Sequence, residues 1–296
     1  MKIAITGGSG FIGKRLIAYW LEQGYELINI SRSSATRIPG VTTVTWDDLK
    51  MKPDTLQGLH AIVNLAGESI SQRWTAAAKS RIIQSRLDAA ANVAKLVASM
   101  DVKPRVVVNA SGMSYYGTSE TDTFDETSPF RNTDFLASVV KQWEHAADQI
   151  QGTRVVKVRV GLVLDNLEGA FPKMALPYKL GVGGTVGSGR QWMSWIHIDD
   201  MVRLIDFCVD HDDIEGPVNA TAPNPVTNQQ FGRTLATVMR RPNIFPVPAF
   251  MMKLLFGELS VLLLEGQKVL PRVLQQHGFV WKFPQLQEAL AQLMKK

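Results

Sequence analysis

The residues best suited to chemistry lie near the start of the chain. Thr6-Gly7-Gly8-Ser9-Gly10-Phe11-Ile12-Gly13 follows a short apolar run, residues 2–6, and opens a segment with helical periodicity. Glycines at such a junction permit positive φ and let a ligand approach the backbone closely. The helix N-terminus behind them offers unpaired N–H groups and a partial positive charge. In a strand–turn–helix setting this makes a cradle for the pyrophosphate of a dinucleotide. Two registers fit: Gly8, Gly10 and Gly13 have the G-x-G-x-x-G spacing, and Gly7, Gly10 and Gly13 a wider one. Ser31-Arg32 closes the second expected strand, where an NAD site carries Asp or Glu for the ribose 2′-hydroxyl. Arg32 instead offers a fork of donors to a 2′-phosphate, with Ser31 as a further hydrogen-bonding group, so the pair points to NADP(H).

Chemistry beside a hydride carrier also needs a group that gives or takes a proton. Ser111, Tyr115 and Tyr116 are the candidates, because they follow the fifth expected strand and open α/β sheets build sites at strand C-termini. Arg190, after the glycine-rich stretch 181–189, is the candidate anchor for an anionic small-molecule substrate. His197, two residues before Asp199, reads as an anchor of the substrate lobe. Cys208, in an apolar run, reads as a buried hydrophobe. No His/Cys/Asp/Glu cluster has metal spacing, so no metal is expected.

These groups need elements to position them. Apolar runs at 2–6, 26–31, 41–46, 60–65, 105–110 and 154–164 read as strands, and 11–23, 76–100 and 134–150 as helices. Such alternation implies parallel crossovers and an α/β, Rossmann-type doubly wound sheet. Beyond residue 164 the pattern breaks. The glycine-rich 181–189 and the three prolines of 217–225 suit loops of a smaller C-terminal, substrate-side lobe. Residues 1–225 are expected to form the nucleotide-binding domain, its later part joining that lobe. Residues 246–296 read as a small, mostly helical domain that either closes the pocket or makes a homodimer contact.

Composition narrows the class. The 296 residues are 45% hydrophobic and 20% charged, which is ordinary for a globular chain. The net charge of +5 is scattered, without basic runs or aromatic interleaving, so no nucleic-acid partner is expected. One cysteine excludes a disulfide framework. With no leader-like or spanning segment, the expectation is a cytoplasmic protein without a membrane partner.

Several segments carry a family resemblance. They are residues 6–13, Asn64-Leu65-Ala66-Gly67-Glu68, Ser85-Arg86-Leu87, Ser114-Tyr115-Tyr116-Gly117, the long Gly183-Gly184-Thr185-Val186-Gly187-Ser188-Gly189-Arg190-Gln191-Trp192-Met193-Ser194-Trp195-Ile196-His197-Ile198-Asp199-Asp200, and Leu264-Glu265-Gly266-Gln267-Lys268-Val269-Leu270-Pro271. Through them the whole chain resembles the atypical, extended short-chain dehydrogenase/reductases called epimerase family proteins, which end in a domain of unknown function. The resemblance implies that the backbone at Phe11 and Ile12 follows the pyrophosphate and that Ser31 and Arg32 hold the 2′-phosphate. It also implies that Leu65 and Ala66 line the adenosine-ribose side, that Arg86 reaches toward the cofactor, and that Val163 sits near the nicotinamide. Thr6 and Gly67 complete the implied cofactor set. The family's usual chemistry uses a Tyr, a Lys four residues later, and a Ser or Thr. Here the residue four before Lys141 is Ala137. A register fixed on Glu144 places Leu136 and Val140 there, and the usual spacing puts Gly112 rather than Ser111 at the serine position. The expected function is an NADP(H)-dependent oxidoreductase or nucleoside-sugar epimerase lacking that dyad. The alternative is a non-catalytic NADP(H) sensor or scaffold.

Overall fold

The apolar runs pair side by side. A computed structural model describes residues 1–35, 37–51 and 53–295. In it β1 (Lys2–Thr6), β2 (Glu26–Ser31), β3 (Thr42–Thr45), β4 (Ala61–Asn64), β5 (Val106–Gly112), β6 (Arg154–Val160) and β7 (Gly216–Ala220) form one sheet. The order is β7-β6-β5-β4-β1-β2-β3, and every neighbouring pair is parallel. Parallel sheets are covered on both faces, so their strands are apolar on both sides. Ile3, Ile5, Val106 and Val108 join one core cluster, while Ala4, Ile28, Ile62 and Val107 join another, following the two-residue period of a strand. From β1 the chain runs outward to β2 and β3, then returns to β4 on the other side of β1. The switch point therefore lies between β1 and β4, where such sheets bind ligands.

Local sequence sets the helix starts. α1 (Phe11–Glu22) buries Gly13, Leu16, Ile17 and Trp20 along one stripe. Thr75 caps α2 (Ala76–Ser99), its hydroxyl accepting from the Ala78 N–H, and Asp134 caps α3 (Phe135–Ala147), accepting from Ala137 at 2.8 Å. The longer of the later helices are α4 (Phe171–Lys179), α5 (Ile198–Asp210), α6 (Asn228–Met239), α7 (Ala249–Phe256) and α8 (Leu286–Leu293).

Two expectations need correction. Residues 154–164 are not one strand. The chain peels off the sheet at Gly161, where a Cβ would lie 2.6 Å from the Ser194 carbonyl oxygen, and Leu162–Leu164 pairs instead with Trp195–His197. The proline-bearing residues 217–225 are not all loop either, because β7 includes Pro217. The strand lies at the sheet edge with β6 as its single neighbour, and an edge strand tolerates a residue without an N–H.

The C-terminal residues are stitched to this frame. Lys268–Val269 pairs with Thr123–Phe124, and the Gln267 side chain donates to the Met113 carbonyl at 3.0 Å. The fully buried Asp200 carboxylate accepts from the Lys282 and Phe283 N–H groups at 2.7 and 2.8 Å. α8 packs Leu286, Leu290 and Leu293 against Phe231 and Leu235 of α6.

Candidate functional site

The turn between β1 and α1 is a tight backbone cradle. Gly7 has φ 72°, and a Cβ there would lie 2.7 Å from the Leu65 carbonyl carbon and 2.8 Å from the Ala66 nitrogen. A Cβ at Gly8 would lie 2.6 Å from Asn29 Oδ1. A Cβ at Gly13 would run into the Gly7 carbonyl oxygen and lie 2.8 Å from Gly8 Cα. Gly10 caps α1 without a side chain, and its N–H donates to the Gly7 carbonyl at 2.9 Å. Only glycine allows β1, the turn, α1 and the Leu65–Ala66 segment to meet this closely. The result is an open helix N-terminus over the C-terminal ends of β1 and β4, flanked by Phe11 and Ile12.

Beneath the cradle runs a buried polar ladder. Thr6 donates its hydroxyl to Asn64 Oδ1 at 2.5 Å, Asn64 donates to Asn109 Oδ1 at 2.6 Å, and Asn109 donates to the Ala110 carbonyl at 2.7 Å. It ties the ends of β1 and β4 to the middle of β5. Its sequence signal was an Asn closing an otherwise apolar run, in Ile62-Val63-Asn64 and Val107-Val108-Asn109.

Ser31 ends β2 and its oxygen accepts from the Ser33 N–H at 3.3 Å. Arg32 is exposed and makes no ion pair with another described residue. On the other flank, Arg86 folds under Gly67, where a Cβ would lie 3.1 Å from its guanidinium carbon. It donates to the Glu68 and Ile82 carbonyls at 3.0 and 2.9 Å and stacks on Trp143. Burial lowers its pKa to about 10 against the pull of Glu68. These bonds make Arg86 a brace for the turn after β4. Val163 is buried, opposite Ile196 in the short two-stranded ladder.

The three proton-transfer candidates separate. The Ser111 hydroxyl donates to Glu144 Oε1 at 2.6 Å. Glu144, on α3, takes a two-pronged bond from Arg159 of β6, Nε to Oε1 at 2.8 Å and Nη2 to Oε2 at 2.9 Å. Arg159 Nη1 also donates to the Tyr116 hydroxyl at 2.8 Å, which itself donates to Asn219 Oδ1 at 2.7 Å. The Asn219 N–H donates to Glu126, which also accepts from the Arg272 and Val273 N–H groups. All six side chains are buried. Burial pushes the Tyr116 phenol up to about 12, outweighing its bonds to Arg159 and Asn219. Burial alone would lower the Arg159 pKa, but the bonds to Glu144 reverse this and fix its charge. Tyr115 is different. It is part-exposed, packs edge-on against Phe130 and Tyr116, and has the Arg159 guanidinium 3.5 Å from its ring centroid. Its hydroxyl makes no hydrogen bond to another described residue.

Val140 of α3 faces Gly112, its Cγ2 3.2 Å from where a Cβ would sit, while Lys141 is exposed beside Tyr115 and Phe130. Arg190 is exposed and bound to Glu120 at 2.9 Å. The buried His197 caps α5 by accepting from the Asp199 N–H at 3.1 Å, and its other nitrogen meets Gln292 at 2.9 Å. Burial lowers its pKa. Cys208 is buried and its thiol is pushed up to about 12 for the same reason.

Comparison with known proteins sets this geometry in context. Residues 3–220 match the NAD dependent epimerase/dehydratase family, and residues 247–293 match a domain of unknown function, DUF1731. The chain is 40% identical over 298 residues to the epimerase family protein YfhF of Bacillus subtilis strain 168, covering 99% of this chain and 98% of that one. It is 39% identical over 304 residues to the epimerase family protein SDR39U1 of Bos taurus, covering 99% and 100%. The crystal structure of human SDR39U1 (isoform 2) with NADPH superposes with a TM-score of 0.91 at 36% identity, over 99% of both chains.

Proposed function

The chain belongs to the NAD dependent epimerase/dehydratase family, and on that premise we propose that it is an NADP(H)-dependent reductase or epimerase of small molecules. One observation carries the reading: a glycine cradle in which a Cβ at Gly7, Gly8 or Gly13 would collide with its surroundings stands beside an exposed Arg32 that is ion-paired with no other described residue. Gly7 and Gly10 would shape the turn, and Phe11, Ile12 and Gly13 would hold the pyrophosphate through backbone N–H groups. Ser31 and Arg32 would hold the 2′-phosphate, and Thr6, Leu65, Ala66 and Gly67 would wall the adenosine-ribose side. Arg86 acts by bracing Gly67, and Val163 backs the nicotinamide end. The crystallised human relative with NADPH supports this assignment. Calorimetry tests it. Arg32→Asp should weaken NADPH at least about tenfold more than NADH, since only NADPH carries the phosphate the fork pairs with. An equal loss for both nucleotides would sink the 2′-phosphate role.

When bound, NADPH supplies a hydride to a substrate carbon. The protein must then manage a proton without the usual pair. Ala137 stands four residues before Lys141, and Leu136 and Val140 occupy the other register, with Val140 turned to Gly112. Ser111 and Tyr116 already spend their protons on Glu144 and Asn219, so the donor is Tyr115, held by Arg159. An anionic substrate would reach Arg190 only by displacing Glu120. Tyr115→Phe should cut turnover of small carbonyl or sugar-nucleotide substrates roughly a hundredfold while leaving NADPH affinity unchanged. Turnover intact in that variant would remove Tyr115 from the chemistry. The same commitment of Ser111 and Tyr116 favours a second reading, a sensor that binds NADP(H) without turning over. Tight NADPH binding with no oxidation across the panel would select it.

A further inference from the structure

α7 sets composition against burial. It is apolar apart from Lys253, yet none of its residues is buried. A helix apolar all round belongs in a core or a membrane, and α7 joins none of the core clusters among the described residues. Phe250 is 68% exposed, Leu254 82% and Leu255 67%. The exposure continues past the helix. The Ile244 and Phe245 N–H groups both donate to the Gly183 carbonyl, the Val182 N–H donates to the Pro177 carbonyl, and Val186 bridges Val247. These backbone ties bring the segments that carry the exposed Leu180, Val182 and Ile244 to the chain that leads into α7, so the exposed apolar face extends beyond the helix. Soluble monomers rarely leave such a face uncovered.

The charges in the segments that carry this face are basic, and the acid that follows α7, Glu258, is ion-paired with Lys79. Residues 171–184 hold Lys173 and Lys179, and residues 238–257 hold Arg240, Arg241 and Lys253, with no acid in either stretch. All five are exposed, and none is ion-paired with another described residue. We propose that this face docks on an anionic lipid surface. Phe and Leu side chains bury their area at the headgroup–acyl boundary while the five cations meet the anionic headgroups. Lying on a bilayer needs no spanning helix, and no helix among the described residues is long and apolar enough to span one. A second copy is a poorer occupant, because a two-fold pairing would set the unneutralised cations of each chain against their like. The proposal departs from the sequence-based expectation of no membrane partner, because composition does not reveal which apolar residues a fold leaves outside.

Co-sedimentation of the full chain with vesicles tests the proposal. Vesicles of phosphatidylcholine with phosphatidylglycerol should bring the protein down at least about tenfold more strongly than phosphatidylcholine alone, and 1 M salt should weaken the binding. Lys253→Glu should reduce the binding about fivefold or more. The pair Leu254→Asp and Leu255→Asp should reduce it at least about tenfold. An unchanged thermal melt shows that these exposed substitutions leave the fold alone. No sedimentation with anionic vesicles, or equal binding to both vesicle types, would overturn the proposal. So would a dimer in sedimentation velocity that Leu254→Asp dissolves, which assigns the face to a second copy.

Discussion

Gly13→Ala is expected to remove NADPH binding and part of the fold's stability together. The new Cβ would meet the Gly7 carbonyl oxygen and Gly8 Cα. Both are backbone atoms of the turn, so no rotamer change relieves the contact. One course is for α1 to back away from β1, which loosens Leu16, Ile17 and Trp20, all buried in the sheet's core cluster. The other is for the turn to open, which breaks the 2.9 Å bond from the Gly10 N–H to Gly7 and scatters the N–H groups proposed to hold the pyrophosphate. Overpacking of this kind costs about 1–3 kcal/mol of stability. Losing two charge-assisted hydrogen bonds to the pyrophosphate costs about 3–6 kcal/mol of affinity, a weakening of roughly 10²- to 10⁴-fold. Urea denaturation reads the first effect and calorimetry the second. Gly10→Ala is the control. Gly10 has φ −78°, and its Cβ would come no closer than 3.2 Å to the Gly7 oxygen, so it should lose less than about tenfold. NADPH affinity undiminished by Gly13→Ala would mean that the cradle is not the binding site.

That cradle was legible because its physics is local. A strand, a glycine turn and a helix lie within residues 2–22, and the spacing of three glycines states where the backbone must be approached. The sheet was legible for a related reason. Strands covered on both faces read as unbroken apolar runs, and a 3.6-residue stripe between them reads as a crossover. β7 was hidden because Pro217 signals a turn unless its strand has a neighbour on one side only, which the sequence does not state. The ion network was hidden by distance along the chain. Ser111 and Glu144 are 33 residues apart, Arg159 and Tyr116 are 43 apart, and Tyr116 and Asn219 are 103 apart. What the sequence did offer was an anomaly, Arg159 inside Val155-Val156-Lys157-Val158-Arg159-Val160. A charge in a buried strand requires a partner, but sequence spacing alone could not say that the partner was Glu144. Ser111 and Tyr116, at and just beyond the end of β5, are hydrogen-bonded to Glu144 and Arg159, partners that their position in the sequence does not disclose.

Removing Glu144 should accordingly be among the most destabilising single changes in the chain. Its carboxylate holds Arg159 by two prongs and accepts from Ser111, with both ions almost wholly shielded from water. Glu144→Ala leaves a guanidinium in the core whose remaining partners among the described residues are the Tyr116 oxygen and the Tyr115 and Tyr116 rings. Breaking one side of a buried pair costs about 3–5 kcal/mol, chiefly because the remaining charge is uncompensated. The cost therefore belongs to the orphaned partner, which separates this account from simple loss of packing. If it is right, Glu144→Leu combined with Arg159→Met should be less damaging than the sum of the single changes by more than about 1 kcal/mol, since neither charge is then stranded. Urea denaturation of the two single variants and the double variant closes the cycle. Additive costs would show that the two residues do not act as a pair. The damage should also be confined to one side of the sheet. The glycine cradle stands on β1 and α1, separated by β4 from the β5–β6 pair that carries Ser111 and Arg159. The folded fraction of Glu144→Ala should therefore bind NADPH within about threefold of the parent, as expected for sites that share no partner. The proposed role of Tyr115 as proton donor predicts that turnover falls nonetheless, because the Arg159 guanidinium packs on the Tyr115 ring.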